Sequence, residues 1–403
     1  MERSLRAVLV DRDRISQQGP RFAGLLAAAL DGSGPALLPL DATAPAAQLD
    51  ALLRTFDPDE IEDAGGVTTV RSAGKSVNRQ IAVVVGTSGS TGVPKGVLLS
   101  GAALRHSARA SLARIGAAPG ERWLCCLPVT HIAGIQVLVR ALVGDTEPIW
   151  AERADPETIA ASIAAGAAHV SLVPTQLGRL GNDMSTLNAF KSVLLGGAAA
   201  PPALLDAARG AGLPVVTTYG MSETCGGCVY DAVPLDGVRI AIGDGEEAGK
   251  LAPGESGRIW ISGAVLFEGY WGEPLFEDEW FRTGDLGSVD AAGRLSVRGR
   301  ADDVINTGGH KVIPAEVAAA LASCPGVRDA AVVGQSDAEW GERVVAVIVP
   351  ADRGDPPTLK MLRMHVKERL PRYAAPSRVV LVEAVPMLPN GKQDLARLRR
   401  DLT

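Results

Sequence analysis

An apolar run, Ile81-Ala82-Val83-Val84-Val85, empties into Gly86-Thr87-Ser88-Gly89-Ser90-Thr91-Gly92-Val93-Pro94-Lys95-Gly96. The apolar residues read as a buried strand. The eleven that follow supply close-turning backbone, hydroxyls and one cation, which suits a polyphosphate. This is not a Walker A loop, because that pattern closes on Gly-Lys-Ser/Thr and here Lys95 follows Pro94. Nor is it a nucleophile elbow, since Ser90 rather than glycine stands two residues after Ser88. A strand that carries a ligand loop at its carboxyl end is the building unit of open α/β sheets.

The same grammar recurs along the chain. Ser192-Val193-Leu194-Leu195 runs into Gly196-Gly197, with a helix-like Pro202-Ala203-Leu204-Leu205 behind it, and Val215-Val216 leads to Tyr219-Gly220-Met221-Ser222-Glu223-Thr224. This alternation predicts an α/β fold, mostly parallel sheets flanked by helices, with the three loops at the carboxyl ends of strands. Residues 1–80 read as alanine- and leucine-rich helical stretches, such as Arg21 to Leu30, joined by polar connectors.

Near residue 300 the texture changes. Leu295 to Asp303 reads as a strand ending in a charged turn, and Pro314 opens a helix to about Leu321. Strands are expected at Ala330 to Val333, Val344 to Val349 and Val379 to Val382, with Leu359, Leu362, Val366 and Leu370 marking one helix face. The chain therefore divides into a large N-terminal domain, residues 1–299, and a small α+β C-terminal domain, residues 300–403.

Forty-six acidic against 40 basic residues give a net charge of −6, which argues against nucleic acid as a partner. No apolar run approaches the roughly 18–20 residues of a membrane span. The start of the chain lacks a signal-peptide core, so a cytoplasmic location is expected. Five cysteines, at 125, 126, 225, 228 and 324, point to free thiols. Cys225-Gly226-Gly227-Cys228 has the spacing of a zinc or redox pair. Without a second pair or histidines at ligand spacing, thiols in a glycine-rich turn are the simpler reading.

The order Thr-Ser-Gly-Ser-Thr-Gly-x-Pro-Lys-Gly resembles the phosphate loop of the adenylate-forming superfamily: acyl-CoA synthetases, luciferases and the adenylation domains of peptide synthetases. Further segments match in order: Gly196-Gly197-Ala198, Tyr219 to Thr224, Phe281-Arg282-Thr283-Gly284-Asp285 with Gly299-Arg300-Ala301-Asp302-Asp303, and Pro386-Met387-Leu388-Pro389-Asn390-Gly391-Lys392. The resemblance implies that Thr87, Ser88, Gly89, Ser90, Thr91, Gly92 and Lys95 hold the β- and γ-phosphates of ATP. It places Gly196, Gly197 and Ala198 on one adenine face and Tyr219, with Gly220, Met221 and Ser222, along the other. By the same resemblance Thr224 meets the α-phosphate and Glu223 holds Mg2+, an ion that takes hard oxygen ligands and commonly one or two carboxylates. Asp285 is implied as the ribose acceptor, Arg300 as a ribose or phosphate contact, and Asp302 as the hinge of a mobile C-terminal domain.

Lys392 is implied as the catalytic cation, which offsets the repulsion between an attacking carboxylate and the α-phosphate. Coenzyme A then takes the acyl group, with Gly308, Gly309 and His310 along its tunnel. One departure is plain. The phosphate loop begins near residue 87, earlier than in many full-length members, so the N-terminal subdomain is shortened.

For the acid, Glu223 to Val238 and Leu127 to Gln136 resemble the o-succinylbenzoate–CoA ligases of menaquinone biosynthesis. That implies an acyl pocket lined by His131, Thr130, Gln136 and Thr175, with His131 alternatively a structural histidine. Arg140 either supplies charge there or faces solvent. Other readings stay open: a different aromatic or aliphatic acid, a carrier protein in place of coenzyme A, or a catalytically inactive acyl- or nucleotide-binding protein. The expected partner is a small carboxylic acid; a homodimer is left open.

Overall fold

The apolar run at residue 81 is a strand, Ile81–Ser88, which pairs antiparallel with Pro94–Ser100. Its ladder extends through Gly86↔Gly96, Thr87↔Lys95 and Ser88↔Pro94, so both flanks of the stretch read as loop are strand. The computed structural model describes residues 2–63, 68–70, 76–88, 94–244, 246–249, 251–388 and 393–402. These form two units. The first comprises Met1–Gly197, Ala208–Arg239 and Ser262–Phe281; the second comprises Ala198–Ala207, Ile240–Ile261 and Arg282–Thr403.

In the first unit, this hairpin belongs to a seven-stranded sheet that also includes Leu5–Val10 and Ala36–Asp41. Those two run parallel in continuous register from Leu5↔Ala36 to Val10↔Asp41. They lie in the region read as helices and connectors. A strand buried on both faces shows no alternation, and Ala36-Leu37-Leu38 cannot be told from a helix segment by period. The helical stretch at Arg21 to Leu30 belongs to Ile15–Asp31, which ends on Gly32 in the left-handed region. Arg3, buried beside this sheet, donates to the carbonyls of Ala28, Ala29, Gly34, Pro35 and Ile81 at 2.6–3.4 Å.

A second seven-stranded sheet runs in the order Ile149–Trp150, Arg122–Cys125, Ala167–Leu172, Ser192–Leu195, Val215–Met221, Gly226–Tyr230, Val233–Pro234. The first five are parallel and the last two antiparallel. Helix Ile132–Val143 packs on it and is apolar almost all round, as an interior helix must be. At the amino ends of these strands, His169 bonds Glu121 at 2.9 Å and Ser192 at 2.8 Å, while Lys191 pairs with the other Glu121 oxygen. Lys191, then the Ala118 N–H and His169, hold the Glu121 carboxyl down to about 2.

In the second unit, Phe281–Val289 pairs antiparallel with Leu295–Arg300. Beyond it lies a five-stranded sheet centred on Val327–Asp337 and Gly341–Pro350, both longer than the sequence suggests. Alternate residues face opposite ways. Val332, Val344, Ala346 and Ile348 meet helices Pro314–Ala322 and Leu359–Lys367, while Val333, Val345 and Val347 meet Leu398 of Leu395–Leu402. Leu362 and Val366 are the buried pair of the expected helix face; Leu359 is exposed and Leu370 lies past the helix end. Among the described residues, no helix is long and apolar enough to cross a membrane.

Candidate active site

The hairpin Val215–Met221 and Gly226–Tyr230 carries Glu223 on a single helical turn, Ser222–Thr224. Its geometry depends on glycine. A Cβ at Gly220 would stand 2.0 Å from the Gly226 carbonyl oxygen, and Gly226 itself has φ +92°. On the adjacent strand end, a Cβ at Gly196 would stand 2.0 Å from Thr218 Oγ1. Tyr219 and Met221 are half-buried on this hairpin, and Gly197 and Ala198 continue from Gly196.

Thr224 does not sit as the motif suggests. Its side chain is wholly buried, and its hydroxyl accepts from the Met221 N–H at 2.9 Å and reaches the Gly226 carbonyl at 2.7 Å. The residue fastens the turn and presents no surface to a phosphate. Cys225 and Cys228 are also buried, as free thiols. Burial pushes the Cys228 thiol up to about 12 and raises that of Cys225. They are packing groups within the turn.

Glu223 has a partner that no motif announced. Tyr270 donates its hydroxyl to Glu223 Oε1 at 2.9 Å. Burial, then the Glu223 charge, raises the phenol pKa, so the group remains a donor. The Tyr270 ring in turn lies 5.1 Å from Lys95 Nζ. Lys95 is exposed, and Thr87 Oγ1 donates to its carbonyl at 3.2 Å. Next to it, Gly96 has no room for a side chain: a Cβ would be 2.4 Å from the Phe56 ring and 2.8 Å from Trp271. Among the described residues Glu223 Oε2 accepts no hydrogen bond, and no group of three or more His, Cys, Asp or Glu gathers as a metal cage. One open carboxylate oxygen fits Mg2+ shared with phosphates.

Helix Ile132–Val143 begins at His131, which is exposed; Thr130 and Thr175 are half-buried. Gln136 is buried against Gly226, its Nε2 3.4 Å from the Leu104 carbonyl and its Oε1 without a partner. One turn on, Arg140 is not at the solvent face. It is buried, donates from Nη2 to Ser171 Oγ at 2.9 Å, and lies over the Trp123 ring at 4.3 Å. Its Nε is unpartnered, and it pairs with no carboxylate among the described residues. Burial lowers its pKa.

In the second unit, Asp285 and Arg300 stand opposite each other in register, Nη1 3.3 Å from Oδ1. Gly284 makes room for that guanidinium, since a Cβ there would be 2.5 Å from Arg300 Nη2. Thr283 Oγ1 accepts from the Asp285 N–H at 3.0 Å and donates to the Ile259 carbonyl at 2.8 Å. Asp302 follows in a short helical turn, 3.7 Å from Arg300. Gly308 and Gly309, at φ +56° and +79°, form the two-residue turn between Ile305–Thr307 and His310–Val312. The Trp340 ring covers Gly308, and His310 stacks on Tyr373 at 4.2 Å.

Gly89, Ser90, Thr91, Gly92 and Lys392 lie outside the described residues, as does the side chain of Ser88. The base of the Lys392 segment is described: Met387 bridges Gln393, whose Nε2 donates to the Ala330 carbonyl at 3.2 Å.

Residues 24–271 match the AMP-binding enzyme family, and residues 316–392 match the AMP-binding enzyme C-terminal domain. A probable 2-succinylbenzoate–CoA ligase of Mycobacterium tuberculosis is 44% identical over 343 residues, 81% of this chain and 86% of the relative. Among solved structures, ATP-bound MatB from Rhodopseudomonas palustris superposes with a TM-score of 0.86 at 24% identity, over 100% of this chain and 89% of that one. The o-succinylbenzoate CoA synthetase MenE from Bacillus subtilis, in complex with its acyl-adenylate intermediate, gives 0.83 at 26% identity, over 99% and 88%. The same enzyme in complex with ATP and magnesium gives 0.82.

Proposed function

The chain belongs to the AMP-binding enzyme family, and from that premise we propose that it is an acid–CoA ligase joining 2-succinylbenzoate to coenzyme A through an acyl-adenylate. Arg140 is the observation that carries the choice of acid. Among the described residues this buried cation has one neutral hydroxyl and an indole face for partners, without the counter-charge that burial normally demands. A substrate with two carboxylates meets that demand with one while the other reacts. We assign Gln136, with its orphaned Oε1, together with Thr130, His131 and Thr175, to the pocket for that acid.

In this reading Thr87 to Gly92 and Lys95 hold the β- and γ-phosphates, and Gly196, Gly197 and Ala198 oppose Tyr219, Gly220 and Met221 around adenine. Asp285 accepts from the ribose hydroxyls, with Arg300 paired to it across the hairpin. The Thr224 hydroxyl is committed to its own turn, so we assign the α-phosphate contact to the half-buried Ser222 beside it. Bound Mg2+ supplies charge neutralisation on the departing pyrophosphate. Glu223 contributes the hard oxygen that holds it.

The acid's carboxylate attacks the α-phosphorus, the bond to the bridging oxygen breaks, and Lys392 stabilises the charge that develops. The thiolate of coenzyme A then attacks the acyl carbon and AMP departs. Gly308, Gly309 and His310 line the thiol's approach after the small domain, residues 300–403, turns about Asp302. Pyrophosphate release with 2-succinylbenzoate, benzoate, cinnamate and a long-chain fatty acid tests the proposal, with Lys392→Ala as the inactive control. Preference for 2-succinylbenzoate is expected; preference for the fatty acid overturns it.

A further inference from the structure

We propose that Tyr270 is a positioning residue that sets Glu223 for its metal while its ring parks Lys95. The inference rests on the reading of Glu223 and Lys95 as phosphate-side groups. Segment 267–271 is stitched to both hairpins by backbone. At one end the Phe267 N–H donates to the Glu223 carbonyl at 2.8 Å; at the other the Trp271 N–H donates to the Gly96 carbonyl at 2.7 Å. Between them Gly269 and Tyr270 form an edge strand in register with Leu98 and Val97. The ring also packs edge-on against Phe267, centroids 4.9 Å apart. Tyr270 is thus fixed to the two loops whose side chains it touches.

The phenol occupies one oxygen of Glu223 and leaves Oε2 for a cation. A half-buried carboxylate with no such partner samples several rotamers, and each binding event must select one. Over its ring the aromatic quadrupole holds the Lys95 ammonium near the same place without neutralising Glu223 directly. An arriving polyphosphate exchanges the ring for its own oxygens. Two charges from hairpins far apart in sequence therefore reach the nucleotide pre-arranged by one side chain.

Tyr270→Phe keeps the ring and removes only the O–H. Calorimetric ATP titrations with and without Mg2+, and Mg2+ titrations at fixed ATP, read its effect. A hydrogen bond to a charged group corresponds to a rise of about tenfold in the Mg2+ half-saturation, with metal-free ATP affinity unchanged and the melting temperature within about 2 °C of the parent. A shift below twofold, or an equal loss of ATP affinity with and without Mg2+, overturns the role. Glu223→Gln separates the two levels. If it leaves Mg2+-dependent ATP binding intact, the metal reading of Glu223 fails; if it abolishes that dependence while Tyr270→Phe changes nothing, only the Tyr270 proposal fails. The double variant must be no worse than Glu223→Gln alone, because the phenol acts through that carboxylate; additive losses refute the proposal.

Discussion

Arg3 and Arg140 are both buried in the first unit, and their surroundings could hardly differ more. Arg3 is caged by five backbone carbonyls. Arg140 has one hydroxyl, one indole face and an orphaned Nε. Desolvation lowers the pKa of both, so burial alone does not separate them. Satisfaction does. A caged guanidinium belongs to the fold, whereas one left wanting among the described residues is where the proposed acid would be met. The cluster of Glu121, His169, Lys191 and Ser192 is of the first kind, closed upon itself at the amino ends of the parallel strands.

Three substitutions put that contrast at risk. Arg3→Met leaves a cage of carbonyls without donors and should cost more than about 3 kcal/mol in urea unfolding, with turnover per folded molecule unchanged. Arg140→Met should do the reverse. Loss of a charge-assisted contact to the acid lowers kcat/KM for 2-succinylbenzoate about 10- to 100-fold, while ATP affinity holds and the urea midpoint stays or rises. A fall in the midpoint like that of Arg3→Met would make Arg140 structural and erase the distinction.

Glu121→Gln is the smallest. A carboxyl held at about 2, against an ordinary 4.5, contributes stability that is complete above 4.5 and is lost as pH falls toward 2. Lys191 is largely exposed and screened, so the loss at neutral pH should be about 1 kcal/mol. The acid-unfolding curve should flatten between those two values with activity at neutral pH intact. An unchanged acid profile would show that the cluster stores no stability.

Much of this was legible beforehand because it is written in local sequence. The glycine-rich hairpin, the Glu223 turn and the Asp285–Arg300 segment each lie within a few residues of a strand, and glycine is required there by measurable crowding. What stayed hidden is non-local. Tyr270 is 47 residues from Glu223, and only the edge pairing of Gly269 and Tyr270 brings them together. The Gly-Tyr-Trp-Gly run at 269–272 was the available signal, two aromatics bracketed by glycines beside no other motif. Arg140 was ambiguous because helical spacing gives a face but not what that face meets. The burial of Thr224 is hidden because its sequence neighbours do not reveal that its hydroxyl closes its own turn. The strands at Leu5–Val10 and Ala36–Asp41 escaped because burial on both faces erases alternation.

The backbone contact between Gly220 and Gly226 limits what the turn can accept. Any side chain at Gly220 collides with a carbonyl of the opposite strand rather than with a movable group, and Gly226 is held where L-residues are strained. Single substitutions at either glycine therefore strain the turn. Arg140, which meets the Ser171 and Trp123 side chains, sits where neighbours can repack, whereas the turn bearing Glu223 meets backbone.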